Sequence, residues 1–265
     1  KEILVSALAK LMGIPKEGIH IPDQGLIPPE NIDPQVLSLV KRTMCEESHL
    51  MYTRYFFKVR EEIQFILNWH HRCIARALDD VAAGRITRLI ITVAPGFTKS
   101  MFLLDAISKS FGNYPLSRNI LTNYNSTFAR SNSQIMMDTI ETPEYQDWWP
   151  VQMRHDVSSK GRWLTKHGGG VVASGVHGTI LGFRAGRMTP GFFSGALWLD
   201  DLIKPKDVHS KLEREKTNAS LLEGLRSRLA IPETPIVMTA QRLHDMDPPG
   251  FLLRGGTGEP WHHLN

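Results

Sequence analysis

The sequence predicts an α/β protein: a mostly parallel central sheet flanked by helices, plus an N-terminal helical appendage. Three observations carry this expectation. Apolar runs at 89–93 (LIITV), 196–199 (ALWL) and 235–240 (PIVMTA) have the length and the Ile, Val and Leu content of strands covered on both faces. Segments of helical periodicity separate them, and strand alternating with helix is the pattern that builds a parallel sheet. Each run also ends in residues able to do chemistry, and open α/β sheets place ligands at the carboxyl ends of their strands.

In chain order, residues 1–50 carry two short helical patterns (Ile3, Leu4, Ala7, Leu8, Leu11, then Val36, Leu37, Leu39, Val40) divided by a loop at 22–34 that holds four prolines. This appendage reads as a packing arm. Residues 61–83 read as one helix, with Ile63, Ile66, Leu67, Ile74, Ala75, Leu78, Val81 and Ala82 at helical spacing and a stop at Gly84. Trp69 is expected in the core, with His70 and His71 on a solvated or hydrogen-bonded face. A helix at 101–111 closes at Gly112 and Pro115, a short strand follows at 119–122, and a helix at 126–140 opens with a Ser126-Thr127 cap. Residues 141–162 read as loop, in which Trp148 and Trp149 either stack on nucleic-acid bases or lie buried. A glycine run at 168–170 leads into a strand at 171–174 and a second loop at 178–195. Residues 207–229 read as one long helix with Leu221, Leu222, Leu225 and Leu229 on a single stripe.

Composition narrows the classes. The 265 residues are 42% hydrophobic, enough for a substantial core in one large domain or a domain with an appendage. With 31 Lys+Arg against 27 Asp+Glu the chain leans basic, which permits nucleic acid as a partner without requiring it. Two cysteines, Cys45 and Cys73, exclude a disulfide framework and a zinc finger and fit a reducing, intracellular compartment. No apolar run reaches membrane-spanning length, and the opening residues lack the layout of a signal peptide.

The chemistry centres on residues 88–101, RLIITVAPGFTKSM. A strand meets a Pro95-Gly96 break, and Lys99-Ser100 then opens a helix. Such a turn aims backbone N–H groups at one point, suited to the oxygens of a nucleotide triphosphate, with a lysine for the outer phosphates and a hydroxyl for Mg²⁺. Pro95, Gly96, Phe97, Thr98, Lys99 and Ser100 are therefore the candidate phosphate loop. The common pattern G-x-x-x-x-G-K-[ST] would put glycines at Val93 and Thr98, and the loop has only Gly96. The second strand ends in Asp200-Asp201, a pair suited to holding Mg²⁺ and orienting an attacking water; the third ends in Thr239-Ala240-Gln241. Arg184 and Arg187 are either solvated or placed to neutralise charge on a transferring phosphoryl group. His71, on the helix that leads into the loop strand, is a candidate adenine contact. His244, Asp245, Asp247, His262 and His263 are ligand types without the compact spacing of a metal site.

The ordered segments WHHRCIARAL, RLIITVAPGFTKS, ILTNYNSTFAR, GGGVVASGVHGTILGFRAG, ALWLDDLIKP and PIVMTAQRLHDMDPPGFLL together resemble the large subunit of the tailed-phage terminase, the DNA-packaging motor. The likeness runs from about residue 54 to the C-terminus. It implies a P-loop NTPase domain at 51–258 that uses ATP and Mg²⁺, assembles as a ring of identical subunits on a portal protein, works with a terminase small subunit, and drives double-stranded DNA into a procapsid in the host cytoplasm. By position, Lys99 is similar to the Walker A lysine, Ser100 and Asp200 to the Mg²⁺ ligands, and Asp201 to the catalytic acid. Thr239 and Gln241 are similar to the motif that couples hydrolysis to movement, and Arg184 to an arginine that reaches a neighbouring subunit's site, with Arg187 close behind it. Departures are Gly96 where many relatives have arginine, Thr98 for glycine, Asp201 for glutamate and His71 for glutamine. Residues 259–265 would open a linker to a nuclease domain that this chain lacks. The alternatives are a non-catalytic scaffold that binds DNA or portal, favoured by the missing glycines, and a helicase-like ATPase.

Overall fold

The structure, a computed structural model, describes residues 33–188 and 192–265 and the backbone of two short strands, β1 (Ile19–Ile21) and β2 (Gly25–Ile27). The chain separates into two compact units, residues 1–68 and 69–265, so position 50 falls inside a helix and not at a boundary. In the first unit β1 and β2 pair antiparallel, which places a strand inside the stretch expected to be loop. The helical pattern at Ile3–Leu11 lies outside the described residues. The second pattern forms α1 (Pro34–Glu47), started by Asp33, whose carboxylate accepts from the N–H of Gln35 at 2.7 Å. α2 (His49–Glu61) follows with Ser48 as its cap and buries Tyr52 and Phe56.

The helix expected at 61–83 does not run through. Glu62 takes a left-handed conformation that ends α2, and residues 62–68 are not helical, leaving Ile63 and Ile66 exposed. The second unit opens with α3 (Trp69–Ala82), on which Trp69 is exposed, against the expectation of a core position, and His70 and His71 are buried and not solvated, His71 being hydrogen-bonded to Thr98. Its apolar stripe at Ile74, Ala75, Leu78 and Val81 packs inward, so the register of that stripe decides which of the three rings turns in.

Next come β3 (Arg88–Thr92), α4 (Lys99–Asn113), β4 (Arg118–Asn123) and α5 (Ser126–Glu141). Asn125, not Ser126 or Thr127, caps α5: its side chain accepts from the N–H of Thr127 at 2.7 Å. The region expected to be loop contains α6 (Pro143–Trp148) and β5 (Met153–Ser159), and both Trp148 and Trp149 are buried. β6 (Arg162–Thr165), β7 (Gly170–Gly175) and β8 (Leu197–Asp200) complete the middle of the chain. The long helix expected at 207–229 is shorter: α7 (Lys211–Ala219) passes into a π-helical turn over Ser220–Leu225 and a 3₁₀ turn over Arg226–Arg228. The wider turn still buries Leu221 and Leu225. β9 (Ile236–Ala240), α8 (Pro248–Leu253) and β10 (His262–Leu264) follow.

Among the described residues these strands form one eight-stranded sheet in the order β10-β3-β9-β8-β4-β7-β6-β5. The first six run parallel, and β6 and β5 add an antiparallel edge. β3, β8 and β9 are buried along their whole length, as parallel strands covered on both faces must be. One face packs under Ile180, Phe183, Leu221 and Leu225. On the other, Asn119 of β4 accepts from the Trp198 indole at 2.9 Å and donates to Ser110 of α4. The stretch 259–265, expected as a linker, belongs to the sheet. β10 pairs with β3, Arg88 holds Glu259 through two nitrogens at 3.0 and 3.1 Å, and Thr92 bonds His263 and Asn265. Among the described residues no helix is long and apolar enough to cross a membrane.

Candidate functional site

Register brings the site together. Asn123 pairs with Asp200 and Asp200 with Thr239, so the last residues of β4 and β8 and the penultimate residue of β9 stand in one row at the carboxyl edge of the sheet. β3 lies beyond β9 in the same direction and delivers the loop 93–98 and the start of α4 to that edge.

Asp200 is the centre of the row. One carboxylate oxygen accepts from the hydroxyls of Ser100 and Thr239, each at 2.8 Å. The other accepts from the side-chain amides of Asn132 at 3.3 Å and Asn123 at 3.4 Å. The carboxyl is buried, and burial, followed by the neighbouring charge of Asp201, pushes its pKa above the usual carboxylate value; the Thr239 and Ser100 hydroxyls and Lys99 oppose the shift. Asp201 sits higher and more exposed. Its Oδ2 meets Lys99 Nζ at 3.2 Å, its Oδ1 accepts from the backbone N–H of Gln241 at 3.3 Å, and its carbonyl accepts from the N–H of Tyr124 at 3.1 Å.

Two residues of the cluster hold unusual backbone. Among the described residues the non-glycine positions with positive φ are Glu62 at a helix end, Thr98 (58°) and Asp201 (42°). Thr98 stands where the common pattern has glycine, and it adopts the left-handed conformation that glycine adopts without strain. A threonine there costs on the order of 1–3 kcal/mol, which neighbouring contacts must offset. His71 supplies one of them: its Nε2 lies 3.0 Å from the Thr98 hydroxyl while its ring stacks on Phe102 at 5.5 Å. Phe97, at the loop tip, meets His70 edge-on at 5.1 Å. Pro95 and Gly96 are exposed.

Burial, and then the neighbouring His70, lowers the His71 pKa from 6.5 to about 4. Between those values the unfolded chain binds a proton at this position and the folded chain does not. Stability therefore falls as pH drops from 6.5 to about 4. His71→Gln is expected to flatten that decline while keeping a hydrogen bond to Thr98. Chemical denaturation across the window measures it, and an unchanged slope in the variant would count against a buried neutral histidine.

Of the residues expected from the sequence, the structure brings Lys99, Ser100, Asp200, Asp201, Thr239 and Gln241 into one cluster, with His71 behind the loop. Gln241 contributes its backbone N–H. Arg184 and Arg187 are not brought there. The N–H of Gly186 bonds the carbonyl of Arg118 at 2.8 Å, at the start of β4, whereas Asn123 at its end touches Asp200. At the rise of a strand, that separates the arginine loop from the cluster by roughly 16 Å along β4. Arg184 is exposed and reaches the Leu229 carbonyl at 3.4 Å. Among the described residues no group of three or more His, Cys, Asp or Glu side chains could hold a metal ion, and that includes His244, Asp245, Asp247, His262 and His263.

Asn123 and Asn132 were not anticipated. Asn123 ends a strand and could have been picked out as a polar residue at a carboxyl edge. Asn132 sits within α5 with nothing in its spacing to mark it. Fold and site together define an α/β protein with a lysine, a hydroxyl and two carboxylates converging at the carboxyl edge of a parallel sheet. No protein-family model matches the chain, and no curated protein matches it.

Proposed function

We propose that this chain is a P-loop ATPase that hydrolyses ATP to drive double-stranded DNA into a viral procapsid, as the motor part of a terminase large subunit. The observation that carries the hydrolase reading is the convergence of Lys99, Ser100, Asp200 and Asp201 on one point from elements about 100 residues apart. The sheet order supports it, because the Asp200 strand lies one strand away from the loop strand, with the Thr239 strand between them. The resemblance of the ordered segments adds DNA as the cargo.

Ser100 and Asp200 fit a Mg²⁺ site: a hydroxyl and a carboxylate 2.8 Å apart, with burial disfavouring the carboxylate charge unless a cation meets it. When bound, Mg²⁺ supplies charge neutralisation on the β- and γ-phosphate oxygens. Lys99 binds the same oxygens, and its present partner, Asp201, is then released to accept a proton from water. Water adds to the γ-phosphorus as the bridging P–O bond breaks, giving ADP and phosphate, with Asp201 orienting the water and Lys99 holding the developing charge. Thr239 and the Gln241 N–H tie β9 to both acids, so movement of the acids moves β9. His71 acts on the loop through Thr98. Arg184, exposed and away from its own cluster, is available to the site of a neighbouring subunit in a ring assembled on the portal with the small subunit.

Phosphate release from Mg²⁺-ATP, followed over a range of protein concentrations, tests this reading. Turnover is expected to rise faster than protein concentration and to lose that extra dependence in Arg184→Ala. A folded chain that neither binds nor hydrolyses Mg²⁺-ATP at any concentration would leave only a scaffold.

A further inference from the structure

A second site lies at the same edge of the sheet, two strands from Asp200. β7 runs on past the start of β6: Arg162 pairs with Val172, and Ser174 and Gly175 have β4 on one side only among the described pairings. Beside them opens a cleft of about 700 Å³ whose walls include Tyr124, Ser126, Arg130, Arg162, Ser174 and His177.

Its chemistry is one-sided. Among the described residues that line the cleft none is Asp, Glu, Asn or Gln. Arg130 and Arg162 come from different elements, 32 positions apart in sequence, and both line the cleft; a Cβ on Gly161, the residue before Arg162, would lie 3.5 Å from Arg130 Nε. Neither arginine forms an ion pair with a described residue. Lys204 adds a third cation, 5.6 Å from the centre of the Tyr124 ring. The positive field reaches Arg118, whose pKa is lowered by burial first and then by Arg187 and Arg162. Guanidinium groups brought together without a carboxylate repel one another, and an anion is what removes that cost. The Ser126 hydroxyl adds a donor, and the small residues at 173–175 let an extended ligand approach the backbone.

We infer that this cleft grips the sugar-phosphate backbone of double-stranded DNA. Paired guanidinium groups and an ammonium are the donors that phosphate oxygens take, so contact is with phosphates and independent of sequence. The choice of duplex DNA rests on the function proposed above; the anion chemistry does not. The cleft is wired to the hydrolytic cluster by two short paths. Tyr124, on its wall, donates its N–H to the Asp201 carbonyl at 3.1 Å. The helix that carries Arg130 also carries Asn132, which bonds Asp200 at 3.3 Å. A pull on the cleft is therefore a pull on both acids.

Fluorescence anisotropy of a short labelled duplex, titrated with the full chain over a series of KCl concentrations and without nucleotide, tests the site. The double variant Arg130→Gln/Arg162→Gln is expected to bind about 10-fold more weakly or worse, with the slope of log K against log[KCl] reduced by about 2. Arg130→Lys/Arg162→Lys should retain most of the slope, showing that charge and not folding is read. Arg85→Gln, on the far side of β3, should bind like wild type, and duplexes of unrelated sequence should bind equally. Wild-type affinity and slope in the double glutamine variant would overturn the assignment. So would displacement of the duplex by inorganic phosphate at an equal concentration of phosphate groups, which marks a small-anion site, or a single strand competing better than the duplex. ATP turnover is not read here, so failure of the cleft and failure of the ATPase are separable.

Discussion

Replacing Lys99 by alanine is expected to lower ATP turnover by about 10³-fold while leaving the chain folded. The lysine is buried to 8% side-chain exposure at the first turn of α4, and its Nζ lies 3.2 Å from Asp201. It can therefore reach only what enters the cluster. Its charge does two things in the proposed reaction: it neutralises the γ-phosphate and, by moving there, frees Asp201 for the water. Alanine removes both. The cost to folding is small, because Asp201 still donates its N–H to the Thr239 carbonyl, its carboxylate still accepts from the Gln241 N–H, and it is exposed enough to be solvated; a partly exposed pair contributes about 1 kcal/mol or less. Lys99→Arg should fail nearly as badly, since a planar guanidinium does not occupy the position of an ammonium. Phosphate release at saturating Mg²⁺-ATP, with thermal melts of the same samples, measures the two effects apart. Turnover within a few-fold of wild type in the alanine variant would sink the phosphate-loop assignment.

Asp200→Asn is expected to reduce turnover by at least about 100-fold, with an opposite effect on the pH dependence of stability. The carboxyl is buried beside Asp201, and both conditions raise its pKa above 3.8. For an acid the sign follows directly. Between its ordinary and its raised pKa the folded chain holds a proton that the unfolded chain has released, so stability falls as pH rises through that window. The asparagine variant has no such proton. Relative to wild type it should therefore gain stability as pH rises above the ordinary carboxylate pKa of 3.8, while losing the carboxylate that a Mg²⁺ ion needs. Urea titrations at several pH values, paired with phosphate release, read both. Parallel stability curves for the two proteins would show that Asp200 titrates normally and that burial is not what tunes it.

Much of this site was legible in the chain. Strands at 89–93, 196–199 and 235–240 announce themselves because a parallel strand covered on both faces must be apolar throughout. The polar residues at or just beyond their carboxyl ends, Ser100 past the loop, Asp200 and Thr239, stand out by contrast. Helix breaks were harder. The periodicity of Ile63, Ile66 and Leu67 continues the phase of the helix that follows, yet the chain is not helical from Glu62 to Asn68. The change from α to π at Ser220 leaves the leucine stripe intact and hence leaves no mark in the pattern. The short strand at His262–Leu264 is made by pairing with β3 and not by its own composition.

The sequence by itself determined the class of sheet, the order of its chemistry-bearing strands, and the residue types that end them, because these depend on local pattern: apolar runs, a Pro-Gly break, paired acids. Only the tertiary structure decided which of those ends share one point. Register aligned Asn123, Asp200 and Thr239, packing of α5 turned Asn132 onto the same carboxylate, and the path of the 178–188 loop carried Arg184 and Arg187 toward the opposite edge. Contacts between residues 68 to 100 positions apart are set by how the elements pack, and a one-dimensional pattern holds no measure of that distance.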